Sequence, residues 1–240
     1  MRHYPVFVRL AGLRCLVVGG GPVAARKAVS LLEAGGVVDV ISPALEPTLS
    51  ALAREGKIGW RRRTYEQGDL EGFFLVIATT DDAGLNARVA GEARERRILV
   101  NVVDDPAPST FIVPAVLERG PLTVAVSTSG LSPLAAARIR DMVGGQIGEE
   151  FGRWVRLLGE HRRRIIERTP PGRRRRILLE ALLSEEVLGL LRDGRDGEAW
   201  NMAERLTTGF EAEARGVEKG VAERRGMEKG EVDRCEVEEG

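Results

Sequence analysis

The chain has 240 residues and 26.2 kDa, with 43% hydrophobic content. That is enough apolar material for one large domain or two small ones, and it excludes wholesale disorder. Lysine plus arginine and aspartate plus glutamate each total 36, for a pI near 6.8, which argues against a dedicated nucleic-acid binder. No apolar run approaches a membrane span, and the charged N-terminus does not read as a signal peptide. Cys15 and Cys235 lie at opposite ends and only His3 and His161 are present, so neither a disulfide framework nor a protein-built metal site is expected. A reducing cytoplasm is the expected setting.

The first 113 residues alternate short apolar runs with helical stretches. Arg14–Val18 reads as a buried strand that stops at Gly19-Gly20-Gly21. Pro22 suits a first helical position, and Val23, Ala24, Ala28, Leu31 and Leu32 recur at helical spacing until Gly35-Gly36. Val37–Ile41 is a second strand closed by Ser42-Pro43, followed by a helix over Pro47–Glu55 and a thin strand near Ile58–Arg62. Phe73–Ala78 is a strongly apolar strand, Asn86–Arg97 a helix, and Ile98–Val103 a further strand. Such alternation indicates parallel βαβ units with both sheet faces covered.

Beyond Asp104 the pattern changes. Thr110–Leu117 and Leu122–Ser127 read as strand-like runs joined by a Glu-Arg-Gly-Pro turn, and Ser132-Pro133 opens a helix to about Met142. Residues 149–206 read as helical throughout, interrupted at Thr169-Pro170-Pro171-Gly172. From Glu211 on there are ten acids and six bases with closely spaced glycines, which reads as a disordered tail. The expected organisation is α/β: a Rossmann-like parallel-sheet domain (1–113), a small α+β dimerisation segment (114–148), a helical domain (149–208) and the charged tail (209–240).

Gly19, Gly21 and Ala24 fit the pattern G-x-G-x-x-A between a strand and a helix. The first glycine permits the tight turn, the second lets a pyrophosphate approach the backbone, and the alanine permits close helix–sheet packing. Free amides at the helix start then face the phosphates. A purely structural turn seldom needs three glycines in a row. An acid that would bind the ribose should end the second strand, yet that strand ends Ile41-Ser42-Pro43 with neither acid nor arginine, so NAD and NADP are not distinguished there. Asp39 lies inside the strand and is expected to point elsewhere.

VVGGGPVAARKA, IATTDD, NVVDDPAPSTFIVPAV and LTVAVSTSGLSPLAAARIRD, in that order, resemble the precorrin-2 dehydrogenase family, including the N-terminal half of bifunctional siroheme synthases. The resemblance runs from about Tyr4 to Leu206. It implies oxidation of precorrin-2 to sirohydrochlorin with NAD as cofactor, in a homodimer, with Fe²⁺ insertion as a further activity of some members. The methyltransferase domain of the fused synthases has no counterpart here by this reading.

The family's catalytic aspartate falls on Asp104, which also stands just past an apolar strand, at the sheet edge where ligands bind. A carboxylate there is suited to accept the proton released as a hydride leaves. The plainer reading makes Asp104 or Asp105 a turn cap ahead of Pro106. Family cofactor contacts map onto Pro22, Val23, Pro43 and Ala44, mostly through backbone amides, and Thr79 and Thr80 start the next loop on the same edge. Asn86 follows, with either a helix-starting or a cofactor-facing amide. Thr128 occupies a position where some siroheme synthases carry a phosphorylatable serine.

Residues 151–180 hold ten arginines against three acids. They read either as a solvated helix face or as a few bidentate partners for substrate carboxylates. The competing function is a non-catalytic dinucleotide-sensing module with an arginine-rich partner-binding arm, and a base at Asp104 is what distinguishes the enzyme from it.

Overall fold

The computed structural model describes residues 3–208. The charged tail, read above as disordered and containing Cys235, lies outside them.

Five parallel strands form one sheet: β1 (Arg14–Val18), β2 (Val37–Ile41), β3 (Gly59–Arg61), β4 (Leu75–Ala78) and β5 (Leu99–Val102), in the order β3-β2-β1-β4-β5. The chain steps outward from β1 through β2 to β3, then crosses back to lay β4 on the other side of β1. Register is fixed by pairs such as Val18↔Ile41 and Val18↔Ala78. Alternate residues feed two cores. Leu16, Val18, Ile41, Val76 and Val100 pack under α3 (Ala83–Glu95), while Cys15, Val17, Val38, Val40 and Ile77 pack with α1 (Pro22–Glu33) and α2 (Pro47–Arg54). Both faces being buried explains the unbroken apolar strand runs. Truncating a fully buried side chain such as Leu16 to Ala costs about 2–5 kcal/mol.

Two regions depart from the sequence reading. Residues 110–114 form no strand; β6 begins only at Ala115 (Ala115–Arg119) and pairs with β7 (Leu122–Val126) as a hairpin. The cause is side-chain mimicry along β5. The Thr110 hydroxyl accepts the Val100 N–H at 2.8 Å, the Ser109 hydroxyl accepts the Val102 N–H at 2.9 Å, and Asn101 Nδ2 donates to the Phe111 carbonyl at 3.1 Å. These bonds close the sheet edge without a sixth strand.

The helical region is also more broken than expected. After α4 (Pro133–Gly144) and α5 (Glu149–Arg168), α6 (Arg173–Ala181) and α7 (Glu185–Arg192) are separate helices, and another runs from 196 to 208. Ser184 caps α7 by accepting the Glu186 N–H, and Gly194, at φ 72°, ends the turn after it. The break at Thr169–Gly172 is as read, with Pro170 and Pro171 unable to continue α5. The Arg175 guanidinium satisfies the Ile166 and Thr169 carbonyls left open at the end of α5.

The described residues divide into two compact units, one formed by residues up to 115 with 126–137 and the other by 116–125 with 138–208. In the second, Leu157, Ile165, Leu178, Val187, Leu191 and Ala203 form a separate core. A side chain on Gly152 of α5 would collide with the Arg119 carbonyl, so the hairpin rests directly on the helix backbone there.

Candidate functional site

The switch between β1 and β4 opens a cleft of about 340 Å³ at the carboxyl ends of the strands. Open α/β sheets bind ligands at such a point. Gly19, Gly21, Pro22, Val23, Pro43, Thr79 and Thr80 all line it, together with Gly20, Ser42, Thr64, Tyr65, Asp81 and Leu85. Ala44, Asn86 and Asp104, also singled out from the sequence, are not in the lining. Ala44 stands just behind, its carbonyl accepting the Ser42 hydroxyl at 2.7 Å, and Asp104 lies at the end of β5.

Each glycine of the turn has its own reason. Gly19, at φ 123°, sits where only glycine is relaxed, and a Cβ there would strike the Thr79 hydroxyl. Gly20 packs so closely on the loop after β2 that a Cβ would meet the Ala44 carbonyl and the Ser42 hydroxyl. At Gly21 a Cβ would meet nothing within 4 Å, because this position faces the open cleft. Gly21 is also the N-cap of α1, with no side chain capping the helix. The first-turn amides are therefore free to donate to an anion, with the positive helix end behind them. A dinucleotide pyrophosphate fits this cradle.

The far loop is equally ordered. Thr79 donates its hydroxyl to the Val18 carbonyl at 3.1 Å, locking the β1 and β4 ends together. Asn86, buried in the first turn of α3, accepts the Thr80 hydroxyl at 2.7 Å and donates to the Thr80 carbonyl at 2.8 Å. Its amide thus shapes the Thr80 loop, while Asp82 caps the helix by accepting the Leu85 N–H. In the middle of β2, Asp39 stays outside the cleft lining and pairs with Arg14 at 2.8 Å.

The structure separates the two aspartates after β5. Asp105 accepts the Ala107 N–H at 3.1 Å and so caps the turn before Pro106–Ala107. Asp104 is exposed, holds a left-handed backbone at φ 61°, and has no hydrogen bond or ion pair from its carboxylate among the described residues. Aspartate tolerates that conformation better than most residues. Burial, above all, lowers the Lys27 ammonium of α1 from its ordinary range; Arg26 adds to this and the Asp104 charge opposes it.

Thr128 is bound within its own loop, donating to the Ser132 carbonyl and accepting the Ser132 N–H, both at 3.0 Å. Several helical arginines have structural partners: Arg153 with Asp196, Arg164 with Glu204 and Arg176 with Glu180. Among the described residues no group of three or more His, Cys, Asp or Glu could hold a metal, and no helix is long and apolar enough to cross a membrane.

Family models match along the chain in order: a putative NAD(P)-binding domain over 6–115, the sirohaem biosynthesis protein central region over 119–145, and the sirohaem synthase dimerisation region over 150–207. Siroheme synthase of Methylococcus capsulatus is 43% identical over 199 residues, covering 83% of this chain and 42% of that protein. The Thioalkalivibrio sulfidiphilus siroheme synthase is 42% identical over 219 residues, covering 91% of this chain and 45% of the relative. The chain thus spans less than half the length of these curated relatives. Among solved structures, SirC, a precorrin-2 dehydrogenase, superposes with TM-score 0.68 at 26% identity, covering 85% of this chain and 100% of its own.

Proposed function

The chain belongs to the sirohaem synthase and precorrin-2 dehydrogenase family, and from that premise we propose that it oxidises precorrin-2 to sirohydrochlorin with NAD⁺. One observation carries the reading: the glycine cradle at the head of α1 and an uncommitted carboxylate, Asp104, occupy the same carboxyl edge of one sheet. A sensing module needs the first and has no use for the second.

Bound NAD⁺ supplies a hydride acceptor. The chain's residues do the rest. Gly19–Val23 and the first-turn amides of α1 take the pyrophosphate; Ser42 and Pro43, ending β2, stand on the side where the adenosine ribose binds in this fold. Thr79 and Thr80, ending β4, stand on the opposite side of the switch point, towards β5 and Asp104. Precorrin-2 loses one hydride and one proton in becoming sirohydrochlorin, and Asp104 accepts the proton as general base. Its freedom from hydrogen bonds leaves both oxygens available. Asp105, engaged with Ala107, serves the turn.

The assembly we infer is a homodimer, supported by the match of the dimerisation region to residues 150–207, which lies after the 114–148 segment expected from the sequence to carry the dimer contact. Cys15, a free thiol buried in β1, suits the reducing cytoplasmic setting that the reading entails. The purified chain, given precorrin-2 anaerobically, should form sirohydrochlorin by absorbance only when NAD⁺ is present. Conversion that ignores NAD⁺, or none with it, would overturn the assignment. Adding Fe²⁺ afterwards asks separately whether the same chain inserts the metal.

A further inference from the structure

One wall of the nucleotide cleft is a loop with no regular structure. Residues 62–74 link β3 to β4 and present Thr64 and Tyr65 to the cleft, beside the end of β2. Behind Tyr65 lies a hollow of about 490 Å³ bordered by Gln67, Arg88 and Glu95. Tyr65, Leu70 and Phe73 nonetheless pack into the core under α3 and anchor the apolar part of the loop.

Two buried carboxylates outside the cleft tie down the loop's polar groups. The Asp69 side chain is only 7% exposed. It accepts from Arg61 Nη1 at 3.0 Å, from Arg63 Nη1 at 2.6 Å and from the Glu66 N–H at 2.8 Å, bracketing Thr64 and Tyr65 from both sides in sequence. Arg61 ends β3 in register with Ile41, so the knot is tied to the strand edge beside β2. From α3, Glu92, equally buried, accepts the Tyr65 hydroxyl, the Gly68 N–H at 3.0 Å and Arg96 Nε at 2.8 Å. The Arg63 hydrogen bonds are the main reason Asp69 lies below the usual carboxylate range, so Asp69 stays charged at neutral pH. Burial, then the Glu92 contact, pushes the Tyr65 hydroxyl far above its ordinary value and keeps it a donor.

Resting on the dinucleotide reading of the cleft, we propose that Asp69 and Glu92 are positioning residues for the cofactor, holding Thr64 and Tyr65 where the adenosine half of NAD⁺ docks. A preformed wall spares the ordering cost that a loose loop must meet on binding. Neither carboxylate lines the cleft, so their loss should appear in cofactor affinity and not in turnover.

The test uses the full chain with Asp69→Asn and Glu92→Gln, NAD⁺ titrated by calorimetry and steady-state kinetics run alongside. Each variant should raise Kd and KM for NAD⁺ by about tenfold or more. Turnover at saturating NAD⁺ should stay within about twofold, with KM for the tetrapyrrole unchanged. Should Asp69→Asn not fold, Glu92→Gln decides alone. A lower melting temperature with unaltered NAD⁺ affinity, or a fall in kcat with KM preserved, overturns the proposal. Failure of the wild type to bind NAD⁺ would instead remove the cofactor reading, and this inference with it.

Discussion

Asp104→Asn is the sharpest perturbation of the catalytic reading. The carboxylate of Asp104 is exposed and makes no hydrogen bond or ion pair among the described residues, so the folded state loses almost nothing when its charge is removed. Asparagine also tolerates the left-handed backbone at φ 61°. The stability change should stay within about 0.5 kcal/mol. Turnover is another matter: a positioned general base contributes about 10²–10⁴-fold, equivalent to roughly 2.7–5.4 kcal/mol of barrier. Asp104→Ala should lose the same turnover and add about 1–2 kcal/mol of backbone strain. The pair therefore separates catalysis from folding. Asp105→Asn preserves an oxygen to accept the Ala107 N–H and should keep near wild-type turnover. The assay is anaerobic sirohydrochlorin formation at saturating NAD⁺, with melting temperature and NAD⁺ affinity measured on each variant. If Asp104→Asn keeps more than about a tenth of wild-type turnover, the reasoning fails.

The two inner glycines should part company. A Cβ at Gly21 meets no atom within 4 Å, and aspartate at this N-cap should hold or raise the melting temperature in Gly21→Asp, yet at about 4 Å from a bound phosphate its charge costs roughly 4 kcal/mol, abolishing measurable NAD⁺ binding by calorimetry. Gly20→Ala must displace the Ala44 carbonyl and should melt several degrees earlier. His161 is 1% exposed beside Trp200, with Glu204 Oε2 3.8 Å from its Nδ1 and Glu160 and Arg164 on its own helix; burial, above all, pushes its imidazole below the ordinary histidine range. The unfolded chain thus takes up the proton first, and stability should be full above about pH 6.5 and fall as pH drops beneath it. His161→Gln should flatten that fall in calorimetric melts, and an unchanged slope would contradict it. Cys15, fully buried with its thiol pushed up by burial, should resist alkylation in the native protein, as peptide mass spectrometry would show.

The parallel sheet was legible because strands buried on both faces cannot afford polar residues, and Arg14–Val18 and Leu75–Ala78 carry almost none inside. The glycine turn was legible for the same local reason. What escaped was held by long-range charge. Nothing periodic in residues 62–72 announces that Arg61 and Arg63 converge on Asp69, or that Tyr65 reaches Glu92 across twenty-seven residues. Gly20 was passed over because its need arises from the loop after β2, not from its own turn. Phe111–Val113 looked like a strand by composition, but Ser109 and Thr110 had already used the groups it would pair with. The extra helix breaks were in view: Ser184 before two glutamates and Asp193-Gly194 are ordinary cap and stop signals.

The central claim is a two-electron transfer from the tetrapyrrole to NAD⁺, and its most direct measure is stoichiometry. Under strict anaerobiosis, NADH absorbance and sirohydrochlorin should rise together, one molecule of each, and both should vanish in Asp104→Asn while NAD⁺ still binds. Sirohydrochlorin appearing without matching NADH, or NADH rising equally in the Asp104 variant, would contradict the account.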